Sequence, residues 1–153
     1  MNRSVDVVTE TTIARPVDVV AAYAADPVNA PDWYKNIERV EVRTDEPLAV
    51  GSQMAFVAKF LGRRLEYTYE IVELVPAERF VMRTTQGPFP METTYAWRDT
   101  PSGGTRMTLR NRDEPAGFRG VAAPLMAAAM RRANAKDLRQ LKALLESPQP
   151  RPA

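Results

Sequence analysis

PLMAAAMRRANAKDLRQLKALLE, Pro124 to Glu146, is the stretch from which the fold of this chain can be read. Leucines at 138, 141 and 145 recur at helical spacing, and the stripe extends back through Asn134, Met130 and Met126. Alanines separate them, so the segment reads as one long amphipathic helix. At 1.5 Å per residue it runs roughly 35 Å, enough to cross a whole sheet. Pro124 either opens the main helix or bends its first turn. A helix with one apolar face needs a surface to cover, and the preceding residues must provide it.

Before that helix the chain reads as strands. VDVVTETTI, residues 5–13, is rich in β-branched side chains, with Val5, Val7, Thr9, Thr11 and Ile13 on one face. ARPVDVVAAYAAD then predicts a short helix, with Pro16 suited to its start and Val19, Val20 and Tyr23 on its apolar side. Asp26 and Pro27 end it, and PDWYKNI (31–37) follows with two adjacent aromatics. Six further runs alternate with turn residues: IERVEVRT, SQMAFVAKFL, RLEYTYEIVEL, RFVMRTT, METTYAWRD and TRMTLRNRD. Glu46-Pro47 to Gly51, Gly62, Pro76, Gly87-Pro88 and Pro101 to Gly104 supply the turns. Successive antiparallel hairpins fit these spacings. The expectation is an α+β domain of seven strands, two short helices after the first strand, and one long C-terminal helix.

The totals agree with a single domain. The chain has 153 residues, 44% hydrophobic and 26% charged, which suits one soluble globular unit over 1–146. SPQPRPA, 147–153, reads as a disordered C-terminal tail. No run is long and apolar enough for a membrane span, and MNRSVDVV lacks the apolar core of a secretory signal, so the expected location is cytoplasmic. There is no cysteine and no histidine. Thiol nucleophiles, Ser-His-Asp triads and zinc sites of the usual kind are therefore excluded. A formal charge of +2 with scattered basic residues argues against a nucleic-acid footprint.

Strand parity assigns an inner face. It comprises Met54, Phe56, Ala58 and Phe60; Leu65, Tyr67, Tyr69 and Ile71; Phe80 and Met82; Met91, Tyr95 and Trp97; Met107 and Leu109. Phenylalanine, tyrosine, tryptophan and methionine dominate where a plain core favours Leu, Ile and Val. Tyrosine hydroxyls suit a wall that is apolar but partly wet, and methionine fits irregular space. A filled aromatic core explains the same residues equally well. The inward polar candidates are Asn111 and Asp113 on the last strand and Asn134 and Asp137 on the helix. Asp113, beside Glu114-Pro115, reads as a solvated strand end, and Arg106, Arg110 and Arg112 as an outer face.

TTIARPVDVVAAYAADPVNAPDW (11–33), GGTRMTL (103–109) and DLRQLKALLE (137–146), in this order and spacing, resemble the polyketide cyclase/dehydrase group of the START-like, helix-grip superfamily. That superfamily, also called SRPBCC, includes birch-pollen allergens and lipid-transfer domains. The resemblance covers Val5 to Glu146. It implies a curved antiparallel sheet wrapped around the terminal helix, with a cavity between them for a small hydrophobic molecule. The ligand-facing set it suggests is Trp33, Tyr34, Phe56, Phe60, Tyr67, Tyr69, Met82, Tyr95, Trp97, Leu109, Asn111, Met126 and Met130. Trp33 would plug one end and Tyr34 would stand at the rim. No catalytic motif carries over, no metal or cofactor is implied, and a binder is favoured over an enzyme. The alternatives are a polyketide cyclase or dehydratase, and a protein-interaction module of the same fold.

Overall fold

The computed structural model describes residues 5–44, 47–60, 62–86, 90–113 and 122–147. The side chains of Phe60, Asp113, Ala122, Ala123, Pro124 and Met126, and the tail residues 148–153, lie outside this description.

Strand β1 (Asp6–Ile13) leads into helix α1 (Val17–Ala24), a 3-10 turn at Pro27–Asn29 and the short helix α2 (Ala30–Trp33). Six strands follow: β2 (Ile37–Val42), β3 (Gln53–Phe60), β4 (Arg63–Val75), β5 (Arg79–Gln86), β6 (Met91–Asp99) and β7 (Thr105–Asp113). Helix α3 (Ala122–Glu146) closes the chain. Pro124 falls in its first turn, where a missing N–H removes no intrahelical bond.

The strands form one antiparallel sheet in the order β1-β7-β6-β5-β4-β3-β2. Every neighbouring pair except β1–β7 is joined by a short connection. The chain's first and last strands meet along Asp6↔Arg112 to Ile13↔Thr105. Register shifts between Ile37 and Arg39 and at two points along β4 mark bulges, which bend strands and increase twist. The sheet curls into a half-barrel with α3 in its concavity, the helix-grip arrangement.

Alternation holds across the sheet. Met54, Phe56, Ile71, Phe80, Met82, Tyr95, Trp97, Met107 and Leu109 are all buried and join Leu138, Leu141 and Leu145 in one core. On the outer side, Arg106, Arg110 and Arg112 pair with Glu10, Asp6 and Glu92. The end of α3 is fastened to the β1–α1 junction. Arg15 Nη1 donates to the Leu145 carbonyl at 2.8 Å, and Lys142 Nζ to the Thr12 carbonyl at 2.6 Å. These donors serve groups that a helix end leaves without internal partners or that face its negative pole. At the same junction Gly104 has no room for a side chain, since a Cβ would meet the Ile13 carbonyl oxygen at 2.8 Å.

Candidate functional site

The aromatic pair of PDWYKNI divides its labour. Trp33 is fully buried, with its ring 4.1 Å from that of Tyr34 and 5.7 Å from that of Tyr95, centroid to centroid. It plugs the core at the end of α2. Tyr34 is half-buried, and its hydroxyl lies 2.6 Å from that of Tyr95. Burial raises the pKa of both phenols, so both hydroxyls stay neutral through the physiological range.

Beside this plug a cavity of about 200 Å³ opens between the sheet and α3. Strand β3 contributes Phe56 and Ala58, β4 contributes Leu65, Tyr67 and Tyr69, and β5 contributes Met82. Met91 and Thr93 come from β6 and Asn111 from β7. The opposite wall is α3, with Met130, Ala133, Asn134 and Asp137. Tyr34 and Ile37 close one end, and the exposed Asn36 and Lys59 stand at the rim. Most of this wall is carbon.

Its polar groups fall into two sets. On the sheet, Thr93 and Asn111 face each other across β6 and β7, and the Thr93 hydroxyl donates to Asn111 Oδ1 at 2.8 Å. Tyr69 lies beside Thr93, and burial lifts its phenol to about 12. On the helix, Asn134 and Asp137 sit three residues apart and so share a face. Asn134 is buried, and its Nδ2 has no hydrogen-bond partner among the described residues. Asp137 Oδ1 accepts the Lys35 backbone N–H at 3.1 Å. Burial nevertheless lifts its carboxyl to about 6, the Lys35 N–H and charge pulling the other way.

The ligand-facing residues suggested by the sequence therefore separate. Tyr34, Phe56, Tyr67, Tyr69, Met82, Asn111 and Met130 come together on the cavity wall. Trp33, Tyr95, Trp97 and Leu109 pack in the core behind it instead. Strand register explains the split. Leu109, Tyr95 and Phe80 lie in one row across β7, β6 and β5, and Asn111, Thr93 and Met82 in the next. Two residues along each strand separate filled core from cavity.

Asn36, Ile37, Lys59, Thr93 and Ala133 also line the space, although parity and composition did not single them out. Thr93 was legible as the residue between Met91 and Tyr95 on the inner face. Asn36 and Ile37 belong to a connection whose path only the fold defines. Among the described residues no group of three or more carboxylates is placed to hold a metal ion.

A seven-stranded sheet gripping a terminal helix, with a mainly apolar cavity between, defines a helix-grip protein. The chain belongs to the family described as polyketide cyclase/dehydrase and lipid transport, which matches residues 4–146. No curated protein matches the sequence significantly. Solved structures of similar fold include the Zhui aromatase/cyclase from Streptomyces sp. R1128, 18% identical with TM-score 0.78 over 94% of each chain. A START superfamily protein from Mycobacterium smegmatis is 12% identical with TM-score 0.80, over 93% of this chain and 97% of its own. The major latex-like protein 151 of Panax ginseng is 16% identical with TM-score 0.71, over 94% and 99%. At these identities the likeness speaks for the fold.

Proposed function

We propose that the protein binds a small, largely apolar molecule in the cavity between the sheet and α3. The observation that carries this reading is the cavity itself, about 200 Å³ with aromatic and methionine walls. Buried apolar surface provides affinity in such sites, and a few placed polar groups provide orientation. The volume lies below the 300–1,000 Å³ range common for drug-sized ligands, so the occupant is small. Among the described residues, the exposed large apolar side chains Val8, Val28, Val50, Val75 and Leu125 are carried on separate segments, which favours a ligand cavity over a protein-docking face.

Ala58→Trp places an indole into this space. It is expected to weaken binding of the neutral fluorescent probe N-phenyl-1-naphthylamine at least about tenfold while the circular dichroism spectrum stays unchanged. Unaltered probe affinity in a folded variant would locate binding elsewhere.

One observation favours a second reading. A carboxyl lifted to about 6 in an apolar cavity can both give and take a proton near neutral pH, as acid–base catalysis requires. The cyclase or dehydratase reading would use Asp137 in this way. Turnover of a poly-β-keto substrate that disappears in Asp137→Asn, with probe binding retained, would establish it.

A further inference from the structure

We propose that Asn134 and Asp137 act together as a selectivity filter, admitting a neutral ligand with a hydrogen-bond-accepting oxygen and rejecting carboxylates. The inference rests on the binding reading above and adds the polarity and charge of the ligand to it.

Two independent features support it. Asn134 is 5% exposed and lines the cavity, yet its Nδ2 has no partner among the described residues. An amide donor left unpaired in a buried place costs free energy, and a ligand oxygen arriving there recovers it. The missing partner is therefore an acceptor: a ketone, quinone, ether or hydroxyl oxygen. A hydrocarbon leaves the cost in place.

Asp137 supplies the discrimination by charge. It shares the cavity wall and the helix face with Asn134, and its Oδ1 holds the Lys35 N–H. Tyr34 and Tyr95 interact with it from the end of α2 and from the sheet, and their phenols, like that of Tyr69 on the same cavity wall, are neutral at physiological pH. Lys35 contributes its charge as well as its backbone N–H, but its side chain is exposed. Lys59 stands at the rim and lies 3.7 Å from Glu38. A carboxylate placed at Asn134 would thus share a low-dielectric space with a second carboxylate, an arrangement that strongly disfavours two negative charges.

Three ligands of one skeleton separate these effects: tetralin, 1-tetralone and tetralin-1-carboxylate. Each is titrated at pH 8 as a competitor of N-phenyl-1-naphthylamine. In Asn134→Leu the dissociation constant of 1-tetralone is expected to rise about tenfold, while that of tetralin does not rise. In Asp137→Asn the carboxylate is expected to gain about tenfold while the ketone changes less. Equal responses of ketone and hydrocarbon to Asn134→Leu would overturn the inference and leave the binding reading standing. Carboxylate binding that ignores Asp137→Asn and is lost in Lys59→Met would overturn it too, by placing the anion at the rim. If no member of the series displaces the probe, the inference and the binding reading fall together.

Discussion

Leu141→Ala is expected to destabilise the protein by about 2–5 kcal/mol, measured as a lower midpoint in urea at unchanged slope. Leu141 is wholly buried at the centre of the stripe that α3 presents to the sheet, between Leu138 and Leu145. Truncation there removes the transfer free energy of the lost carbons and leaves a void that the curled sheet closes only in part. The magnitude should exceed that of any change on the exposed face of α3, such as Arg139→Ala, whose side chain lies in solvent. Equal losses at 139 and 141 would mean that the helix is seated on a different face.

Asp137→Asn is expected to do the opposite and stabilise the protein at pH 7–8, by about 1–2 kcal/mol after solvent screening and the added amide donor are allowed for. The folded protein holds the Asp137 proton up to about pH 6, above the ordinary carboxylate value. Between about pH 4 and 6 the folded state therefore carries a proton that the unfolded chain has released. Stability contributed by this group is full below that window, falls as pH rises through it, and is gone above it. Asparagine avoids the charged form and can still accept the Lys35 N–H through its own Oδ1.

Asp6, Glu92 and Glu146 are held below their ordinary values by Arg110, Arg83 and Lys142, and they slope the other way. The difference between wild type and variant across pH 4–8 is therefore the quantity to read. A difference that stays flat would place the Asp137 carboxyl at an ordinary value.

How far the sequence discloses all this depends on what each residue answers to. The α3 stripe at 138, 141 and 145 and the alternation in β3 to β7 are legible because one buried face forces a period of 3.6 or 2. Asn111, Asn134 and Asp137 are legible as inward polar residues for the same reason. Parity specifies a face but not a height along the strand. Tyr95 and Thr93 look alike to it, yet register sends Tyr95 to the core and Thr93 to the cavity. Trp33 and Tyr34 are neighbours whose separate fates depend on the turn that ends α2. The raised Asp137 carboxyl is a property of burial between elements distant in sequence, and no local pattern encodes it.

The methionine methyl groups offer the most direct test that the cavity is the ligand site. Met82, Met91 and Met130 line it from three different elements, whereas Met54 and Met107 are wholly buried in the core and do not line it. With methyl-13C methionine, addition of 1-tetralone should shift the Met82, Met91 and Met130 resonances together along one saturable curve. Met54 and Met107 should stay near their starting positions. A saturable response confined to Met54 and Met107, or no response at concentrations that displace N-phenyl-1-naphthylamine, would contradict binding between the sheet and α3.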